Sequence, residues 1–162
     1  MRSESVKNLV FSAIVAALYA AVTIGLAPIS YGPIQFRLSE ILVLLAFLDR
    51  KYIPGLVLGC LLANMYSQLG VMDIVFGTLA TYISVELVSR TKNIFVASLW
   101  PVLVNGVIIG IMLNVLYQLP LVLTMAQVAF GEFVVVSVAG VILFKTAILK
   151  NEKLMDILVG QE

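Results

Sequence analysis

Long apolar runs separated by short polar stretches form the dominant pattern along this chain. Leu9 to Pro28 carries no charged residue, and it is long enough to cross the roughly 30 Å hydrocarbon layer of a bilayer as a helix. Five more apolar segments follow, at Ser39 to Leu48, Tyr52 to Gln68, Ile74 to Ser89, Phe95 to Leu116 and Leu121 to Leu149. The pattern predicts an all-α integral membrane protein, a single domain over residues 1–162 built as a bundle of six transmembrane helices.

The second of these segments, Ser39 to Leu48, is too short to cross the hydrocarbon layer alone. Its residues would rise about 15 Å as an α-helix, half of the thickness required. Either the helix takes in Gln35 to Leu38, or the preceding loop, Ile29 to Phe36, fills part of the layer. Irregular backbone at that depth is tolerated where protein buries it or where it lines a cavity. We therefore expect this loop, which contains Gly32 and Pro33, to act as a lid that orders when a solute binds.

The composition excludes several functional classes. With 62% hydrophobic residues, 12% charged residues and a mean hydropathy of +1.11, the chain belongs in a membrane. It has no His and a single Cys, Cys60, so the usual zinc, haem and His-base sites and an intramolecular disulfide are excluded. A net charge of +1 gives no reason to expect nucleic acid as a partner. We expect neither an enzyme nor a bound metal or cofactor.

The basic residues orient the bundle. Six spans place both termini on one side of the membrane, and nine of the ten Lys and Arg residues fall on that side. They are Arg2, Lys7, Arg50, Lys51, Arg90, Lys92, Lys145, Lys150 and Lys153, whereas Arg37 lies on the other side. By the positive-inside rule, both termini are cytoplasmic in a multi-pass protein of the cell membrane.

Polar residues in the outer half of the predicted bundle indicate a solute site. The candidates for substrate binding are Arg37, Glu40, Asn64, Tyr66, Asp73, Asn114, Tyr117, Gln127 and Glu132. Carboxylates that converge at one depth suggest a cavity for a cationic or amide-rich solute.

Each of the three carboxylates also has a simpler explanation. Arg37 and Glu40 are three residues apart, so on one helix face they would neutralise each other. Asp73 could cap the fourth helix. Glu132 has no partner nearby in sequence and is the strongest candidate, although a protonated or helix-paired carboxyl is the alternative. Glu86, four residues before Arg90, is expected to form an intrahelical pair with it.

Small residues on the first helix suggest a contact with another helix. Ala13, Ala17 and Ala21 recur every fourth residue, with Ala16 and Ala20 beside them. Such a face allows a close approach of helices in lipid, where van der Waals fit replaces the hydrophobic driving force. The partner is either another protein or a helix of this same chain. Gly55, Gly59 and Ala63 of the third predicted helix form a second small-residue stripe.

Four motifs carry a resemblance to a known family. GPIQFRLSEIL (32–42), IPGLVLGCLLAN (53–64), DIVFGTLAT (73–81) and GEFVVV (131–136) are similar to the QueT family. These are substrate-binding S components of energy-coupling factor (ECF) transporters, assigned to queuosine precursors. The resemblance implies a six-helix bundle with a solute pocket near the outer face. It also implies a complex with one transmembrane coupling subunit, docked on the alanine face, and two cytoplasmic ATPases.

The chemistry of the candidate residues suits such a solute. A 7-deazaguanine such as pre-queuosine-1 has adjacent N–H donors for one carboxylate and an ammonium group for a second. Asn64, Asn114 and Gln127 could meet its carbonyl and ring nitrogens, and Tyr31, Phe36, Tyr66 or Tyr117 could stack on it. Alternatives are an S component for another vitamin-like solute, a self-sufficient small channel or exporter acting as a homo-oligomer, and a structural membrane protein without a ligand.

Overall fold

The computed structural model describes residues 2–32 and 34–159 and is 84% helical, with no strand in this part of the chain. The predicted all-α class is confirmed. The first half contains α1 (Arg2–Gly25), the short α2 (Ala27–Ser30), a 3-10 helix Leu38–Leu44 that runs into α3 (Leu45–Leu48), a 3-10 turn Arg50–Tyr52, and α4 (Ile53–Asn64). The second half contains a π-helical turn Asp73–Gly77, α5 (Thr78–Ser89), α6 (Ile94–Tyr117), α7 (Leu121–Glu132), α8 (Val141–Leu143) between π-helical segments Phe133–Gly140 and Phe144–Ile148, and α9 (Glu152–Val159).

Within residues 2–32 and 34–159, three helical stretches are long and apolar enough to cross a membrane. They are Val6–Gly25, Ile94–Tyr117 and Leu121–Ile148. Each of the six predicted segments is helical, but the third ends at Asn64 rather than Gln68 because the chain turns there. Residues after the sixth predicted segment also form a helix, α9, which the sequence pattern did not indicate.

The short second segment gains length from its backbone geometry. Residues Leu38–Leu44 form a 3-10 helix, which rises about 2.0 Å per residue against about 1.5 Å in an α-helix. The segment therefore reaches further across the bundle than its residue count suggests.

The first helix packs tightly against α4 through small residues. A Cβ atom added to Gly59 would lie 2.7 Å from Tyr19 Cβ and 2.9 Å from the Ala16 carbonyl oxygen. Ala16 faces this contact, and Ala16 and Ala20 are only 3% and 9% exposed. The prediction that these two alanines dock a separate subunit is therefore wrong, because both side chains are already buried within this chain.

The neighbouring alanine row points away from the bundle. Ala13, Ala17 and Ala21 are exposed. Successive residues on an α-helix differ by about 100°, so adjacent rows of small residues face different neighbours. Ala13, Ala17 and Ala21 thus form an exposed alanine stripe.

Charged side chains connect the elements at the end of the bundle that carries α9. Glu86 accepts a hydrogen bond from Arg90 at 3.1 Å, which confirms the expected intrahelical pair, and a second from Arg50 at 2.9 Å. The Tyr52 hydroxyl donates to the Leu158 carbonyl at 2.6 Å, and Lys51 Nζ donates to the Val159 carbonyl at 3.2 Å. These bonds hold α9 against the turn between the second and third predicted spans.

Candidate functional site

Four side chains of the charged residue types, Asp, Glu, Lys and Arg, are buried among the described residues. Arg37 and Glu132 are 6% and 5% exposed, Glu40 is 1% exposed and Asp73 is fully buried. They come from the loop before the second segment, from that segment, from the π-helical turn before α5 and from the end of α7. All four are candidate site residues by sequence, and the structure places them in the interior.

Arg37 interacts with the third and fourth predicted spans rather than with Glu40. Its Nη1 donates to Asn64 Oδ1 at 3.2 Å, and its Nη2 lies 3.5 Å from Asp73 Oδ2, an ionic contact without hydrogen-bond geometry. The predicted Arg37–Glu40 pair is wrong because Arg37 precedes the helix, with φ −87° and ψ 88°, and does not share its face. Asp73 does not merely cap a helix, since its buried carboxylate faces this guanidinium.

A ring of small and polar groups supports this ion pair. Asn64 Nδ2 donates to the Asp73 carbonyl at 3.0 Å and contacts Cys60 Sγ at 3.3 Å. A Cβ atom on Gly77 would lie 2.5 Å from Asp73 Oδ1 and 2.7 Å from Asn64 Nδ2, so glycine leaves the room that these side chains need. The Tyr31 ring lies 5.5 Å from Arg37 Cζ, within cation–π range.

Tyr31 also holds the loop to α4. Its hydroxyl donates to the Ala63 carbonyl at 2.6 Å. Burial raises the pKa of the Tyr31 phenol above its ordinary value, so the hydroxyl keeps the proton that it donates.

The two glutamates have neutral hydrogen-bond donors. Tyr19 of α1 donates its hydroxyl to Glu40 Oε1, and Asn105 of α6 donates Nδ2 to Glu132 Oε1 at 3.0 Å. Neither Glu40 Oε2 nor Glu132 Oε2 has a hydrogen-bond partner within residues 2–32 and 34–159. Tyr19 and Asn105 were not predicted from the sequence, although an amide in the middle of the apolar α6 was a usable signal.

Glu132 lies beside the segment that carries Glu40. Phe130 and Phe36 make an edge-to-face pair at 6.4 Å, and a Cβ atom on Gly140 would lie 3.0 Å from Leu44 Cδ1. Residues 130–140 therefore run along residues 36–44, which brings the two buried glutamates to facing segments.

A small cavity opens at the other end of the bundle from α9. It encloses about 190 Å³, room for about six waters, whereas typical ligand pockets start near 300 Å³. Its lining includes Tyr31, Gly32, Gln35, Ser67, Tyr117, Thr124 and Gln127.

The structure separates the predicted site residues into two groups. Tyr117 and Gln127 line the cavity, while Arg37, Glu40, Asn64, Asp73 and Glu132 are buried away from it. Tyr66 is 70% exposed, and Asn114 donates to the Leu119 carbonyl at 2.5 Å, so these two do not join either group.

The loop before the second segment lies next to the buried acids. Gln35 lines the cavity and has φ +54°, and a Cβ atom on Gly131 would collide with the Ile34 carbonyl oxygen. The loop backbone thus rests on the residue that precedes Glu132. Pro33, which the lid prediction includes, lies outside the described residues.

The chain is similar to known proteins over most of its length. The QueT transporter family matches residues 9–148. The Queuosine precursor transporter QueT of Lactococcus lactis subsp. cremoris (strain MG1363) is 34% identical over 164 residues, which cover 90% of this chain and 95% of the relative. No solved structure matches the chain. The matched region contains all four of the motifs that carried the resemblance.

Proposed function

The chain belongs to the QueT transporter family, and on this basis we propose that it is the substrate-binding S component of an ECF importer. It captures a queuosine precursor at the outer face, and a partner module drives uptake with ATP. As a member of a transporter family it is not an enzyme. The observation that carries the proposal is the pair of buried glutamates, each with an oxygen that lacks a hydrogen-bond partner in the described part of the chain.

The proposed topology is six spans with both termini in the cytoplasm of a cell-membrane protein. The grouping of Arg50, Lys51 and Arg90 with α9 supports it, because these basic groups share one end of the bundle. Arg37, the one basic residue assigned to the outer half, lies in the buried site.

The proposed solute is a 7-deazaguanine such as pre-queuosine-1. Its N–H donors and ammonium group match carboxylates, which accept only. Gln127 and Tyr117 at the cavity would meet it first, and the glutamates below would bind it once the loop has moved. A cavity of about 190 Å³ requires that movement before a bicyclic base fits.

The proposed partners are a transmembrane coupling subunit and two cytoplasmic ATPases. The alanine stripe is exposed and lies among exposed Leu9, Ile14 and Leu18, which suits close helix packing in lipid. The chain has no Walker motif, so ATP must be used by another subunit.

Mass spectrometry of the solute released from the purified protein tests the function. We expect a 7-deazaguanine, and its reversible rebinding to emptied protein. Release and rebinding of a different vitamin-like solute would overturn the assigned substrate. Ion conductance by the protein alone in liposomes, with no solute bound, would favour the channel alternative.

The lid role of residues 29–36 has its own test. We expect hydrogen exchange of these amides to slow when the deazaguanine binds, because the closed loop then covers it. Exchange in the middle of α6 serves as the internal control and should not change. Equal exchange in the loop with and without ligand would contradict a lid.

Two glycine variants sharpen this test. In Gly131→Ala the new Cβ meets the Ile34 carbonyl oxygen, so the free loop should be displaced and cut faster by protease. Gly25→Ala is the matched control, since nothing lies within 4 Å of its Cβ. Faster cutting in both variants would show that the effect does not come from the loop contact.

A further inference from the structure

The buried site has an unequal number of positive and negative groups. Its Asp, Glu and Arg side chains, within the part of the chain that the structure describes, are one guanidinium and three carboxyls. Burial of an ionised group without a compensating charge or hydrogen bond is costly. The contacts of each buried carboxyl therefore show whether its negative charge has a positively charged partner within the protein.

Arg37 already has partners of its own among the described residues, although its Nη2 makes no hydrogen bond there. Asn64 accepts from Nη1, Asp73 lies 3.5 Å from Nη2, and the Tyr31 ring covers the guanidinium face. Asp73 has its only described ion-pair partner in Arg37, so together they form a neutral unit. This unit ties the entry loop to the third and fourth predicted spans.

Glu40 and Glu132 are not compensated in this way. Neither lies within 4.0 Å of a Lys or Arg nitrogen in the described residues, and each receives a hydrogen bond from a neutral group only. Each keeps one oxygen without a hydrogen-bond partner in the same part of the chain. Neither carboxylate oxygen of Asp73 has such a partner there either, but Asp73 Oδ2 lies 3.5 Å from Arg37 Nη2, whereas the glutamates have no such ionic contact. Because residues 130–140 run along residues 36–44, one small molecule can reach both carboxyls.

We infer that the Glu40 and Glu132 pair selects a positively charged solute, while Arg37 and Asp73 position the loop without touching the solute. This rests on the proposed function and narrows it. A cationic amine on the deazaguanine ring compensates a buried carboxylate and also donates to its free oxygen. An uncharged nitrile in the same place does neither, so the aminomethyl precursor binds and the cyano precursor is discriminated against.

A comparison of the affinities for the two precursors tests the inference. The full chain in lipid nanodiscs is titrated with the aminomethyl and the cyano 7-deazaguanine, and the ratio of their dissociation constants is measured. We expect the amine to bind roughly 10- to 100-fold more tightly, the range of one charged hydrogen bond. In Glu40→Gln or Glu132→Gln, this ratio should fall toward one. The ratio falls because the amine binds more weakly. Tyr19 and Asn105 can still donate to the side-chain oxygen of the new glutamine.

Asp73→Asn, in the Arg37–Asp73 pair, is the matched control variant. It removes a carboxylate of equal burial, and the ratio between amine and nitrile should stay as in the parent chain while exchange in residues 29–36 rises. A collapse of the ratio in Asp73→Asn, with no change in either glutamate variant, would overturn the division of the site. Two glutamate variants are used so that a folding failure in one leaves the other to decide.

The same titrations also distinguish a failure of this inference from a failure of the proposed function on which it rests. Equal binding of both precursors by the parent chain would overturn charge selection and leave the proposed function standing. Binding of neither precursor, with another solute bound instead, would remove the proposed substrate itself.

Discussion

Replacement of Ala13 and Ala17 by Trp should reduce precursor uptake to the level of cells that lack the protein, while solute binding by the purified protein stays unchanged. Both residues are exposed on the outer side of α1, so the larger side chains do not enter the core. They would instead hold a partner helix away from the close approach that small residues allow. The membrane partner should therefore be lost on co-purification.

The structure offers a matched control for this experiment. Leu103 and Val107 of α6 are also four residues apart and are 57% and 43% exposed. Trp at both positions adds the same kind of bulk on another face and should leave uptake and co-purification intact. Normal uptake in the Ala13 and Ala17 variant would show that the stripe is not the docking surface. Equal loss in both variants would point to a general effect of bulk.

The Glu132→Gln substitution should weaken deazaguanine binding by one to two orders of magnitude. The glutamine keeps the shape and the bond from Asn105, but it presents an N–H to the N–H groups of the ligand. A lost charged hydrogen bond is worth roughly 1.5 to 3 kcal/mol, which corresponds to about 10- to 100-fold in dissociation constant. Titration of the purified protein measures the change directly.

The same substitution should leave the empty protein as stable as the parent chain or more stable. It removes a buried carboxyl whose Oε2 has no hydrogen-bond partner among the described residues. The thermal midpoint in detergent checks this, with Glu152→Gln on the exposed α9 as the surface control. If Glu132→Gln binds as tightly as the parent while Glu40→Gln or Asp73→Asn does not, the main anchor lies on another element.

Much of the architecture follows from the sequence because its signals are local. Apolar length, the charge pattern and the Gly55 to Ala63 stripe depend only on residues close along the chain, and the helices appear where they predict. Four motifs were sufficient to indicate the family. The isolation of Glu132 in an apolar run was also readable, since an expensive charge with no local partner needs a reason.

The partners of the buried polar groups are what local signals missed. Arg37 had a plausible partner three residues away, but the backbone before the 3-10 helix turns its side chain toward Asp73, 36 positions along the chain. Tyr19 reaches Glu40 over 21 positions and Asn105 reaches Glu132 over 27. Periodicity within one helix carries no information about these contacts.

The sequence by itself determined that this is an all-α membrane protein with a few acids inside apolar segments and a helix face of small residues. Only the tertiary structure decided that Ala16 and Ala20 are buried within the chain, that the alanine stripe is exposed, and that Glu40 and Glu132 have no Lys or Arg within ion-pair distance in residues 2–32 and 34–159. The physical reason is that helix packing and charge compensation depend on which distant helices meet. These contacts form only when all the helices pack together, so they cannot be read from any single segment.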